Sequence, residues 1–351
     1  MPFLVLQFII LSAIVCISGI YVTKSTVKLS KEIGLGDVLG GLIVLAIVTN
    51  LPEIAIITAS AVRNELEIGI SNILGGIAIQ TVVICLFDFF RSDKTRPFSD
   101  ESSSNQMIVE GLMVIFILSL VMMGHYLPPS LTLGRIPLVE FSIVLFWILG
   151  LIVLNHDKKN SSQTKKEERG SLSRLKTIKL DKTFAIFTVS ALATLVSGYY
   201  LEEVSSELAT DLGMTGVVFG ATILAFVTAL PEVSTGLEAI FLKRNRLAFS
   251  DIFGGNAFLP CLFLPAAIYT GHSIVTLAKP EDMYLTALGI LLTVIYTAGL
   301  TIKSKRTLLT VGFDTIAALL FYGAGVVGLV MMKLRQDLIL NSQNPFINIA
   351  N

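Results

Sequence analysis

The chain has 351 residues, 53% of them hydrophobic and 15% charged, with a mean hydropathy of +0.78 and a formal net charge of zero. Such apolarity excludes an ordinary water-soluble domain, and the balanced charge excludes nucleic acid as a partner. A helix needs about 20 apolar residues to cross a bilayer, and stretches of that length recur along the whole chain.

The first stretch, residues 3–23, carries no charge, follows no basic segment and lacks a small-residue cleavage pattern. It reads as a retained span rather than a signal peptide. Further spans are predicted at 36–62, 67–90, 107–124 and 137–155, and a second set at 183–201, 213–241, 247–271, 283–302 and 308–332. Residues 157–182, rich in Lys, Ser and Glu, form a flexible polar linker between the sets. With the N-terminus outside, alternate loops collect 21 of the 26 Lys and Arg residues on the cytoplasmic side. The other side keeps Arg63, Arg135, Lys279, Lys333 and Arg335, together with the acidic run Glu202, Glu203, Glu207 and Asp211. This asymmetry predicts a multi-pass protein of the cell membrane with both termini outside and the linker in the cytoplasm. Asp88, Glu110, Glu140 and Asp314 fall near span ends and are expected in the solvated interface. His125, His156 and His272 are expected in loops with no ligand cluster, and Cys16, Cys85 and Cys261 as free buried thiols.

Residues 38–80 align without gaps to residues 217–259 at a constant offset of 179, with 14 identities in 43 positions. The identities include Val48, Thr49, Leu51, Pro52 and Glu53 against Val227, Thr228, Leu230, Pro231 and Glu232, and Ser71, Ile73, Gly75 and Gly76 against Ser250, Ile252, Gly254 and Gly255. Five spans, an odd number, separate equivalent points, so the halves run in opposite senses through the membrane, a pattern of transporters. The fold expected is an all-α membrane protein of about ten transmembrane helices in two inverted five-helix repeats. Residues 1–156 form the first and 183–334 the second, with a short tail at 335–351.

Each repeat sets a Pro-Glu pair in mid-span, where an ionisable group costs about 2.5–3.5 kcal/mol to insert. Proline breaks the helix and frees carbonyls near Thr49 and Thr228, so the helices are expected to be broken at the midplane. Carboxylates, threonine hydroxyls and free carbonyls are hard oxygen donors suited to Ca²⁺, Na⁺ or Mg²⁺. Glu53 and Glu232 are therefore the expected metal-binding pair. Next in each repeat comes a polar, Gly-rich helix. Its Asn72, Gln80 and Asp251 are read as lining the ion path, and its glycines as serving close helix packing or coordination.

At these repeats the sequence resembles the calcium/cation antiporter superfamily, the sodium/calcium exchanger group in particular. That group pairs a G-T-S-x-P-E helix with a G-N-x-x-G-S-N-type helix; here stand V-T-N-L-P-E with S-N-I-L-G-G, and V-T-A-L-P-E with S-D-I-F-G-G-N. By that resemblance Glu53, Glu232, Thr49 and Thr228 match the cation ligands. The neighbouring serines are replaced by Asn50 and Ala229, the later ones by Gly76 and Gly255, and the following Asn or Asp falls on Gln80 and Leu259. The resemblance implies a secondary antiporter rather than an enzyme, without a cofactor, exporting Ca²⁺ against Na⁺ or H⁺ by alternating access. By the same resemblance, the lost serines and Asn/Asp put Na⁺ coupling in question while divalent binding stays an expectation. The alternatives are a carrier of another cation such as Mg²⁺ and, in a different class, a non-transporting membrane protein. The nucleophile and HExxH signatures of an intramembrane hydrolase are absent from the sequence.

Overall fold

The computed structural model describes residues 1–33, 46–91, 94–161, 180–303, 306–308 and 310–343. The predicted residues 36–45 of the second span, 162–179 of the linker and 344–351 of the tail lie outside the described residues. Eleven helices are labelled here: α1 (Pro2–Ile33), α2 (Leu51–Arg63), α3 (Leu66–Phe90), α4 (Asn105–His125), α5 (Leu138–Ser161), α6 (Leu180–Asp211), α7 (Leu230–Phe241), α8 (Asn245–Phe258), α9 (Phe263–Thr270), α10 (Pro280–Ile302) and α11 (Phe313–Gln343). Two extended hairpins, β1 (Thr132–Leu133) with β2 (Ile136–Pro137) and β3 (Thr307–Leu308) with β4 (Val311–Gly312), are antiparallel.

Eight segments of the described residues are long and apolar enough to cross a membrane, and the apolar part of α5, Leu138–Leu154, is a ninth, shorter one. The remaining predicted span contains α2. The result is a ten-span bundle of two inverted repeats with broken helices. Local chemistry sets the ends: the Ser104 side chain accepts from Met107 N to start α4, and Thr215 accepts from Val218 N to start the limb before α7. Left-handed Asn64, Gly271 and Lys303 close α2, α9 and α10.

α3, α4, α8 and α10 hold the main apolar core, where Ile73, Ile77, Val114, Phe249, Phe253 and Leu292 are buried. α1 and α6 pack along one another on one side of it. Their outer faces leave Phe3, Ile10, Ile17, Val189, Leu192 and Val196 exposed, as expected of surfaces that meet lipid.

The structure corrects several expectations. Residues 308 and 310–312 belong to a hairpin rather than a helix, and each hairpin leads into the fifth helix of its repeat, so the duplication extends beyond the aligned segments. The acidic run is not a loop: α6 continues to Asp211. Glu202 is fully buried, accepting from Ser60 at 3.1 Å and facing Arg63 at 3.3 Å, and Glu203 pairs with Arg63 at 2.6 Å. At the opposite end Lys24 of α1 pairs with Glu238 of α7 at 3.1 Å. Asp88, Glu110 and Glu140 are buried rather than solvated, and Asp314 is half-buried.

Asp88 accepts from Arg91 Nε (2.5 Å), Phe98 N (3.2 Å), Gly312 N (2.7 Å) and Thr315 Oγ1 (2.6 Å), tying α3 to β4 and α11. Glu140 accepts from Ser273 Oγ and Val275 N. Such partners replace the water that these carboxylates give up on burial. His125 and His156 lie within α4 and α5 rather than in loops.

Candidate cation-binding site

Both Pro-Glu helices are broken two residues before the proline. Residues 46–49 are helical, Asn50 is a turn and α2 restarts at Leu51; Ala225–Thr228 are helical, Ala229 intervenes and α7 restarts at Leu230. A π-helical segment, Gly220–Leu224, adds a second irregularity in the second repeat. Pro52 and Pro231 sit in the first turn of α2 and α7, where a missing N–H costs nothing. For the same reason they withhold a helical donor from the carbonyls of Val48 and Val227.

Glu53 is 0% and Glu232 2% exposed. Each lies in the first turn of its restarted helix, at the positive end of the helix dipole. Among the described residues neither carboxylate meets a donor at hydrogen-bonding geometry and neither joins an ion pair. Glu232 stands within electrostatic reach of both Glu53 and Asp251, so the two repeats bring their acids together. Among the described residues no group of three or more His, Cys, Asp or Glu could hold a metal, so neutral oxygens must complete any coordination shell.

The other expected residues are all buried. Thr228 lies beside Glu53 of the opposite repeat, and its Oγ1 is 3.5 Å from Asn72 Oδ1 on α3. Asn50 donates to Ala46 O at 2.6 Å and lies 3.4 Å from Thr49 Oγ1, leaving its Oδ1 unpartnered. Its amide reaches across the repeats to Gly255, where an added Cβ would stand 3.1 Å from Asn50 Nδ2. The larger residue at 50 thus fills space left by the smaller one at 255. A Cβ at Gly76 would meet nothing. Asp251 Oδ2 accepts from Thr235 Oγ1 at 3.1 Å, and its Oδ1 has no partner among the described residues. Gln80 is buried, both ends of its amide are unpartnered among the described residues, and no hydrogen bond joins it to the other seven residues.

Several residues of this region were missed by the sequence reading. A Cβ on Gly19 of α1 would stand 2.6 Å from Pro231 Cγ, and one on Gly198 of α6 would stand 2.7 Å from Ala55 Cβ and 3.3 Å from Pro52 O. The first helix of each repeat thus rests a glycine on the break in the other. Ser18-Gly19 and Ser197-Gly198 share the 179 offset, a signal present in the sequence. Ser71 donates to Asp282 at 2.5 Å and Ser250 to Glu110 at 3.1 Å, so equivalent serines bond a carboxylate on the fourth helix of the opposite repeat. Asn256 Nδ2 donates to Thr81 Oγ1 at 3.0 Å and leaves Oδ1 unpartnered.

A bundle of inverted repeats whose paired acids meet at crossed helix breaks has the architecture of a secondary transporter. The sodium/calcium exchanger protein family matches residues 3–155 and 182–335, and the chain belongs to that family. Solved structures share the fold. The crystal structure of the H⁺/Ca²⁺ exchanger CAX aligns with a TM-score of 0.67 at 12% identity, over 93% of this chain and 82% of that one. Native YfkE gives 0.66 at 14%, over 92% and 91%. The sodium-calcium exchanger NCX_Mj, soaked with Na⁺ and Sr²⁺, gives 0.59 at 14%, over 93% and 98%. No curated protein sequence matches the chain.

Proposed function

We propose that the chain is a secondary antiporter that exports a divalent cation, Ca²⁺ foremost, in exchange for Na⁺ or H⁺. The observation that carries this reading is the pair Glu53 and Glu232, buried from opposite repeats with no cationic side chain paired to either among the described residues. Two bare carboxylates in a medium of low dielectric repel one another and have given up their hydration, so the centre must hold a divalent ion, two monovalent ions or protons. The same cost keeps the empty centre from reorienting, which makes transport an exchange. Thr49, Thr228, Asn50, Asn72 and Gln80, with the carbonyls of Val48 and Val227, supply neutral oxygens towards the 6–8 ligands that Ca²⁺ takes. Gly76, Gly255 and Ala229 offer no side-chain oxygen, which favours protons carried on the glutamates as the counter-ion. The Lys/Arg distribution orients the linker towards the cytoplasm, with the N- and C-termini outside.

Uptake of ⁴⁵Ca²⁺ into proteoliposomes under imposed Na⁺ or pH gradients tests this, with Mg²⁺ as competitor. Glu53→Gln and Glu232→Gln each remove one charge from the ion's buried shell, a loss of about 3–5 kcal/mol, or roughly 10²–10⁴-fold in uptake. Uptake driven by neither gradient, or unchanged in both variants, would falsify the exchange reading.

A further inference from the structure

A cavity of about 380 Å³ lies between α1, α7 and α8 at the basic end of the bundle. Lys24, Lys28, Glu238 and Arg244 are among the residues that line it, and so are Thr235 and Asp251. Lys24 and Glu238 form their ion pair there with both side chains about half exposed, and an exposed pair of this kind is weak enough to exchange readily.

Asp251 is more than nine-tenths buried, yet it borders this cavity with Oδ1 unpartnered. Its other oxygen accepts from Thr235 Oγ1 at 3.1 Å. The same hydroxyl lies 3.0 Å from Pro231 O and 3.2 Å from Glu232 O, and its single proton serves one of these acceptors at a time, so Thr235 stands between the carboxylate at the cavity wall and the helix break. Glu232 lies within electrostatic reach of Asp251 on one hand and Glu53 on the other. The three acids therefore follow one another from cavity to centre. The two-fold equivalent of Asp251 is Asn72, an uncharged amide, so this carboxylate serves one face only.

We propose that Asp251, with Thr235, is a peripheral site for a divalent cation at the inner end of this cavity, which receives the ion from the basic face and passes it to Glu232. The proposal rests on the reading of Glu53 and Glu232 as the transport centre. A carboxylate facing a cavity can replace the waters of a hard cation one at a time, while the Thr235 bond keeps one of its oxygens in place. Without Asp251 the ion would pass from water to Glu232 in a single dehydration step.

The test is the apparent KM for Ca²⁺ in inside-out and right-side-out vesicles, which present the ion to opposite faces. Asp251→Asn keeps the shape and an acceptor for Thr235 but removes the charge. Its expected effect is a rise in KM of about tenfold at the basic face and less than twofold at the other. Asp251→Glu is expected to restore KM at the basic face to within about threefold of the wild type. A KM unchanged at both faces, or raised equally at both, overturns the proposal. If Asp251→Asn does not reach the membrane, Leu247→Cys in the cavity wall provides the test, in a background with Cys16, Cys85 and Cys261 replaced by Ala. A membrane-impermeant thiol reagent applied to the basic face should then block Ca²⁺ uptake, and Ca²⁺ should slow the block; modification without effect on uptake overturns the proposal. Uptake lost in Glu53→Gln but insensitive to Asp251→Asn removes the peripheral site alone. Uptake retained in both glutamate variants removes the centre as well.

Discussion

A methyl group on Gly198 is expected to stall transport while leaving the protein folded. The added Cβ would stand 2.7 Å from Ala55 Cβ and 3.3 Å from Pro52 O. Carbon atoms settle at about 3.5–4.0 Å, so α6 and the Pro-Glu segment must separate by roughly 1 Å. Overpacking of this kind costs about 1–3 kcal/mol, whereas Ala in place of a helical Gly returns about 1 kcal/mol. The net loss of stability is then only about 0–2 kcal/mol. A shift of about 1 Å in the ligands beside Glu53, by contrast, can cost roughly 10²-fold in rate. The assay pairs Ca²⁺ uptake with thermal unfolding in detergent for Gly198→Ala, its equivalent Gly19→Ala, and Gly323→Ala on the exposed face of α11, where an added methyl meets nothing. The first two should lose at least tenfold in uptake with a small change in midpoint, and the third should transport normally. Wild-type uptake in both Gly19→Ala and Gly198→Ala would refute the crossed contact as a constraint on the site.

Two further predictions concern the surrounding structure. Asp88→Ala takes the carboxylate away from the buried Arg91 and removes an acceptor from Phe98, Gly312 and Thr315. It should destabilise by about 3–5 kcal/mol, and Asp88→Asn by about 1–3 kcal/mol, read from thermal unfolding; equal midpoints for wild type and Asp88→Ala would contradict the hub. Gly255→Ser crowds Asn50 and Asn50→Ser relieves the crowding, so a double-mutant cycle on Ca²⁺ affinity should show a coupling of about 0.5–3 kcal/mol. Strict additivity would mean that the two positions do not share space.

The hydropathy of the spans, the Pro-Glu pairs and the 179 offset were legible because lipid tolerates few backbone arrangements and because duplication leaves identical residues at identical spacing. The hairpins before α5 and α11 were not legible, since a two-residue strand has no periodicity to detect. The acidic end of α6 was misread for a different reason. Glu202 and Glu203 look like loop residues until Arg63 and Ser60, some 140 positions away, are brought against them. Likewise Asp88 and Glu140 reveal their buried roles only through partners on distant segments. In the site the acids could be read from the chain, but the fit of Asn50 against Gly255 required the fold, because it joins two departures from the repeat pattern that look unrelated in sequence.

The ion pairs at the two ends of the bundle bear on how the chain enters a membrane. Lys24 and Lys28 on α1 occupy the positions of Glu203 and Glu207 on α6, and the partner charges are exchanged too, Glu238 on α7 against Arg63 on α2. The backbone is nearly symmetric under inversion, while these charges change sign. Two identical halves would give the insertion machinery no reason to prefer either orientation. On the positive-inside rule the exchanged charges break that tie, so residues that latch helices together in the finished protein are also placed to bias its direction of insertion. Exchanging both partners of each pair, Lys24 with Glu238 and Glu203 with Arg63, would keep the two attractions and reduce the charge asymmetry between α1 and α6.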